Sequence, residues 1–350
     1  MSRSKRKLEH IEHALNTGQS RETGFDDIRF IHHSLPDVNV NDISLTSFIG
    51  ELEIGSPIFI NAMTGGGGKG TEGINRQLAE VARELNIPVA VGSQMAAIKN
   101  ASEISTYQII RKTNPSGIVF ANVGSEATVE QGKACVDMLE ANALQIHLNV
   151  IQELVMPEGD RHFKGALERI GDICSSLSVP VIVKEVGFGM SRETVKKLKS
   201  VGVSIVDVGG YGGTNFSKIE NARRDQRLPF FNDWGIPTVV SIAEASQGEN
   251  DCTVLASGGI QTASDIAKSI SLGANAAGMA GIVLKKVQEH GVGGAIDYLT
   301  SILYEIKLIM TALGVTDINM LQRAPLVITG HTKEWLEERN ISTKYFANRN

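Results

Sequence analysis

With 350 residues, 42% of them hydrophobic and 21% charged, the chain has the make-up of a folded globular enzyme, long enough for one large barrel or two average domains. Its net charge of −5 argues against general binding of nucleic acid or of an anionic membrane surface. Cys135, Cys174 and Cys252 are odd in number and widely spaced, which argues for reduced thiols in a cytoplasmic protein over a disulfide or zinc framework; no run is apolar and long enough to span a bilayer, and no signal-peptide pattern opens the chain.

The opening stretch, residues 1–19, carries Arg3, Lys5, Arg6 and Lys7 and then Glu9, His10, Glu12 and His13. Such a run reads either as a solvated terminus or as a short helix in which Arg6, Lys7 and His10 present cations to a phosphorylated ligand. From residue 57 a regular alternation begins. Strand candidates fall at Pro57–Ile60, Pro88–Val91, Gly117–Asn122, Ala143–Asn149, Pro180–Glu185, Val203–Val208, Thr253–Ser257 and Asn275–Met279, with helical segments such as Glu72–Leu85, Glu126–Asn142, Arg192–Ser200 and Ala263–Leu272 between them. Eight consecutive β-then-α units predict an α/β fold, a closed (β/α)₈ TIM barrel. An open doubly wound sheet fits less well, because the units are too many and no Gly-x-Gly-x-x-Gly follows the first strand. One barrel domain is expected over residues 57–313, preceded by a capping segment at 1–56 and followed by an extension at 314–350. The long gap at 209–252 predicts a mobile loop, Tyr211 to Trp234, over the mouth.

In a barrel of this kind chemistry sits at the C-terminal ends of the strands. Those ends read Asn61-Ala62-Met63-Thr64-Gly65-Gly66, Gly92-Ser93-Gln94, Asn122-Val123-Gly124, Lys184-Glu185, Gly209-Gly210-Tyr211-Gly212-Gly213-Thr214, Ser257-Gly258-Gly259-Ile260 and Gly278-Met279-Ala280-Gly281. Any one glycine reads as a tight turn, but the loops after strands seven and eight are the usual phosphate site of the fold, to which Thr214 adds a hydroxyl. Lys184 closes an apolar run and is expected to point into the mouth. There it has three possible roles: forming a Schiff base, pairing with a phosphate, or holding negative charge on a conjugated ring; the bland alternative, an ion pair with Glu185, is awkward because neighbours on a strand face opposite ways.

The fourth strand end is the densest: His147-Leu148-Asn149-Val150-Ile151-Gln152-Glu153. Period two puts Gln145, His147 and Asn149 on one face, followed at once by an amide and a carboxylate. Read alone, these polar groups are equally well satisfied core residues.

Taken together, Arg6-Lys7-x-x-His10, Met63-Thr64-Gly65-Gly66, Ser93-Gln94, Asn122, His147-x-Asn149-x-x-Gln152-Glu153, Lys184-Glu185, Gly213-Thr214, Ser257-Gly258-Gly259-Ile260 and Ala280-Gly281 resemble the type II isopentenyl diphosphate isomerases, which are flavin-dependent barrels. The combination of the Arg-Lys-x-x-His start with His-x-Asn-x-x-Gln-Glu is its most specific part. The resemblance implies that Ala62, Met63, Thr64, Ser93, Asn122, Lys184, Thr214, Gly258, Gly259, Ala280 and Gly281 hold FMN. It further implies that Arg6, Lys7 and His10 grip a substrate diphosphate, with His147 and Asn149 lining the same pocket, Gln152 against the isoprenoid carbons and Glu153 on Mg²⁺. The implied reaction is a redox-neutral 1,3-allylic shift from isopentenyl to dimethylallyl diphosphate, with reduced FMN as acid and base and NADPH only as its reductant. A homotetramer or homo-octamer is implied as well, with neither nucleic acid nor membrane as partner.

Three rivals share the barrel. An FMN-dependent 2-hydroxy acid oxidase or dehydrogenase needs a general-base His late in the barrel, and none occurs between His162 and His290. A non-flavin phosphosugar or nucleotide barrel would rely on Glu185 or on Cys252, which precedes its strand. A non-catalytic phospholigand barrel would leave His147, Gln152, Glu153 and Lys184 without a purpose.

Overall fold

A computed structural model of the chain describes residues 22–247 and 252–349. Eight parallel strands close into a barrel in sequential order: β1 (Ile58–Ile60), β2 (Val89–Ala90), β3 (Val119–Gly124), β4 (Ala143–Leu148), β5 (Val181–Glu185), β6 (Ile205–Asp207), β7 (Thr253–Ser257) and β8 (Ala276–Met279). Being covered by helices outside and by side chains inside, they read as almost unbroken apolar runs, which is why their positions follow from sequence. The crossover helices carry their own boundary signals. Thr128 and Gln131 form a reciprocal cap on the helix Val129–Leu139, and Thr262 with Asp265 does the same for Ala263–Ser271, each pair satisfying N–H groups that a helix start leaves open.

The barrel floor is closed by an antiparallel hairpin, Ser47–Ile49 with Leu52–Ile54. Its Ile49 and Ile54 pack on Phe59, Phe120, Ile182, Ile205 and Leu255, all inside the barrel. A second ribbon pairs Ile28–Phe30 with Leu326–Ile328, so the segments before and after the barrel are joined to one another. The Asp27 carboxylate strengthens that joint by accepting Thr332 N–H at 2.9 Å at the start of the helix Gly330–Glu338. No helix among the described residues is long and apolar enough to cross a membrane.

The stretch after β6 read as a mobile loop, Tyr211 to Trp234, has regular structure that the sequence did not suggest. It contains the helix Phe216–Ala222, started by Asn215, whose side chain accepts Lys218 N–H at 3.0 Å. Asn232 then ties the excursion together. Its backbone oxygen accepts from Asn215 Nδ2 at 2.7 Å, and its side-chain oxygen accepts from Asn221 Nδ2 at 2.8 Å and from Ser217 Oγ at 3.0 Å. Asn residues scattered at this spacing read as loop punctuation until their partners are known.

Candidate active site

Alternation along the strands divides the barrel interior into two layers. The lower is apolar: Phe59, Ala90, Phe120, Ala143, Ile182, Ile205, Leu255 and Ala276. Two residues further on, each strand or its end supplies the upper layer: Asn61, Gly92, Asn122, Gln145, Lys184, Asp207, Ser257 and Gly278. Parallel register sets Asn122 beside Gln145, His147 beside Lys184, and Lys184 beside Asp207.

The upper layer is a connected polar network. Asp207, fully buried, accepts from Asn61 Nδ2 at 2.7 Å, from Gly209 N–H at 3.2 Å and from the Ser257 hydroxyl. Lys184 Nζ stands 3.7 Å from the same carboxylate and donates to the Glu185 carbonyl at 2.8 Å. Two buried charges are thereby paired and hydrogen-bonded, the condition under which burial of charge is tolerated. Gln145 Nε2 donates to Asn61 Oδ1 at 3.2 Å, Asn122 Nδ2 donates to Gln145 Oε1 at 3.1 Å, and Asn122 Oδ1 lies 2.8 Å from His147 Nδ1. Glu185 turns to the outer face, where one carboxylate oxygen accepts Phe188 N–H at 2.6 Å and Gly189 N–H at 3.1 Å. Burial pushes this carboxyl up to about 8, against the opposing pull of the Phe188 N–H and the Lys184 ammonium.

Above this layer opens a cavity of about 300 Å³. Every residue of the expected cofactor set lines it: Ala62, Met63, Thr64, Ser93, Asn122, Lys184, Thr214, Gly258, Gly259, Ala280 and Gly281. Its rim is built for an anion. The long helix Gly281–Ala312, kinked at Gly291, starts from Ala280 without a side-chain cap, so its first N–H groups are open to a ligand at this wall. The loops after β6 and β7 interlock beside it. At Gly258, with φ of +106°, a Cβ would stand 2.1 Å from Gly210 O, and at Gly213 one would stand 2.8 Å from Gly259 N. Only glycine permits this packing, and it brings bare backbone to the cavity wall. A phosphate cradle at one end and a buried lysine at the other fit FMN.

The His147-to-Glu153 motif divides between two cavities. Its second half is the helix Val150–Val155, which begins immediately after Asn149. His147 and Gln152 line the first cavity. Asn149 and Glu153, four apart on one helix face, line a neighbouring, wider one together with Glu126, Asp160, His162, Arg169 and Arg223. There Glu153 accepts from Asn149 Nδ2 at 2.9 Å and from Asp160 N–H at 2.7 Å. Among the described residues no three His, Cys, Asp or Glu side chains converge as a metal site, so a cation here would meet the single carboxylate of Glu153 and otherwise its ligand's oxygens. Gln152 Nε2 donates at 3.1 Å to Glu220, a fully buried carboxylate that also pairs with Arg223. Arg6, Lys7 and His10 lie outside the described residues.

Asp207 and Glu220 escaped the sequence reading, and Asn61 stood there only as a strand end without a role. The signal for Asp207 was present, a lone acid inside the apolar run Ile205-Val206-Asp207-Val208, but its partners lie on other strands. Glu220 had only a helix made of ordinary polar residues around it. The thiols stay outside the site: burial pushes Cys135 up to about 12 and Cys174 up to about 11, which keeps both protonated and inert.

A family model described as FMN-dependent dehydrogenase matches residues 111–328. The chain is 59% identical to the isopentenyl-diphosphate delta-isomerase of Bacillus pumilus (strain SAFR-032) over 347 residues, 99% of this chain and 98% of that one. It is 58% identical to the protein of that name from Bacillus licheniformis over 349 residues and the full length of both. Among solved structures, a flavocytochrome b2 variant superposes with a TM-score of 0.70 at 19% identity, covering 95% of this chain and 88% of the other. A mandelate oxidase variant superposes with a TM-score of 0.67 at 15% identity, covering 91% and 96%. Likeness at that level of identity speaks for the barrel alone. The full-length relatives speak for more, and by them the chain belongs to the isopentenyl-diphosphate delta-isomerase family and is an FMN-linked isomerase.

Proposed function

We propose that the protein converts isopentenyl diphosphate to dimethylallyl diphosphate, in the cytoplasm and as a homotetramer or homo-octamer, by adding a proton to the terminal alkene carbon and removing one from the carbon two bonds away. The observation that carries this reading is the assembly of all the expected FMN residues with His147 and Gln152 around one cavity. The cofactor phosphate is assigned to Thr214, Gly258, Gly259, Ala280 and Gly281, and the ring to the side of Ala62, Met63, Thr64, Ser93, Asn122 and Lys184.

Alkenes are weak bases, so the chemistry needs an acid and charge support at carbon. Gln152 does not titrate near neutral pH, and His147 meets Asn122 Oδ1 through Nδ1 at 2.8 Å. Reduced FMN, kept reduced by NADPH, would be held by Ala62, Met63, Thr64, Ser93, Asn122 and Lys184 and would supply the acid and base at its ring. The chain's own part is positioning. Glu220 holds the Gln152 amide against the alkene, and Asp207 holds the Lys184 ammonium at the cavity floor. Arg6, Lys7 and His10 take the diphosphate with Mg²⁺ on Glu153, whose carboxylate is already oriented by Asn149.

Proton NMR of isopentenyl diphosphate with the protein, FMN and Mg²⁺ tests this, with and without NADPH. Dimethylallyl diphosphate is expected only in the tube with NADPH; no product from FMN-loaded protein contradicts the reading. Gln152→Asn is expected to keep FMN while slowing turnover about 10²-fold, the scale of an ångström-sized misplacement. Glu153→Gln is expected to raise the Mg²⁺ concentration needed for activity, and an unchanged metal dependence removes it as ligand.

A further inference from the structure

The polar layer has a direction. Asp207 is an acceptor only, so the side of Asn61 that meets it must be its NH₂ group. Asn61 then has its oxygen on the other side, where it also accepts Ala62 N–H at 2.8 Å. That oxygen requires a donor from Gln145, which turns the Gln145 oxygen toward Asn122. Asn122 must answer with its own NH₂ group, leaving its oxygen for His147 Nδ1. Each amide has one donor end and one acceptor end, so a choice made at the first link propagates to the last.

We propose that Asp207 and Asn61 act as positioning residues for His147, fixing its proton on Nδ1 through Gln145 and Asn122 and so making Nε2 the acceptor of the neutral ring. The Asn122 amide alone does not require this, since by itself it could present either end. The consequence is chemical. An anion that meets His147 at Nε2 finds a donor only after the ring takes up a second proton, whereas a hydroxyl meets an acceptor at once.

The arrangement also predicts what a carboxamide at position 207 does. In Asp207→Asn the oxygen is drawn to Gly209 N–H, and the new NH₂ group then faces the Lys184 ammonium and the Asn61 NH₂. Donor meets donor if Asn61 keeps its sense, and its NH₂ group meets Ala62 N–H if it turns over, so neither sense of the chain is satisfied.

The test is the ¹⁵N spectrum of the full chain labelled at its histidines, at a pH where the ring is neutral, with His147→Gln assigning the signal among the eight histidines. The wild-type ring is expected as a single Nδ1–H tautomer, with or without FMN. Gln145→Met cuts the chain in the middle and is expected to move the His147 signals toward values averaged between the two tautomers. Gln145→Glu keeps an acceptor toward Asn122 and is expected to retain the single tautomer, a contrast that a merely space-filling role for Gln145 does not give. Asp207→Asn is expected to behave as Gln145→Met and replaces it if that variant does not fold. A wild-type Nε2–H tautomer, or an unmoved His147 signal in Gln145→Met or Asp207→Asn, overturns the proposal.

Discussion

The two layers of the barrel interior are built by the same strands two residues apart, yet they do opposite work. In the lower layer Phe59 and Phe120 meet edge to face with ring centroids 6.1 Å apart, and the hairpin residues Ile49 and Ile54 seal them from below. These contacts are non-directional, so the layer tolerates any packing that fills it, and an aromatic pair of this kind adds about 0.5–1.5 kcal/mol beyond its buried area. In the upper layer Asn61, Asn122, Gln145, Lys184 and Asp207 are joined by directional contacts, and these cannot be rearranged without leaving a buried donor or charge unanswered. Both layers carry stability, the lower by filling space and the upper by pairing buried charge, and only the upper carries specificity.

Substitutions in each layer sharpen that contrast. Lys184→Met has the largest expected effect, because it leaves the buried Asp207 carboxylate unpaired: a loss of about 3–5 kcal/mol of stability together with loss of FMN affinity. Chemical denaturation and FMN titration measure the two effects, and a variant as stable as wild type would break the contrast. Phe120→Ala, one layer lower, is expected to cost a similar 3–5 kcal/mol, roughly, by the same denaturation while the folded protein binds FMN as before. Weakened flavin binding there would show that the layers are not separable.

The outer face of β5 offers a smaller, pH-dependent effect. The Glu185 carboxyl is raised from an ordinary value of 4.5 to about 8 in the folded chain, so the native state holds a proton that the unfolded chain has released over that window. Its contribution to stability is therefore full below about 4.5 and is lost as pH rises toward 8. Melting temperature followed across this range should fall less steeply in Glu185→Gln than in the wild type; parallel curves would contradict the shift.

Much of this plan was legible before the fold was known. The strands, including the Lys184 and Ser257 ends, declare themselves because parallel strands buried on both faces are apolar runs closed by glycine, serine or charge. The glycines after β7 and β8, joined by Thr214, pointed to a phosphate site for the same local reason. What was hidden is non-local. Asp207 gains its meaning from Asn61, 146 residues away, and Gln152 gains its partner Glu220 from 68 residues on. The division of His147 and Gln152 from Asn149 and Glu153 depends on a helix of six residues too short to announce itself by periodicity. The hairpin beneath the barrel was missed because three-residue strands carry almost no pattern.

An allylic proton shift without net redox change in the cavity above the upper layer can be followed by running the reaction anaerobically in D₂O and counting NADPH consumed per dimethylallyl diphosphate formed. Many products per NADPH are expected, with deuterium entering the product methyl group. One NADPH lost for each product, or a product methyl free of deuterium, would contradict it.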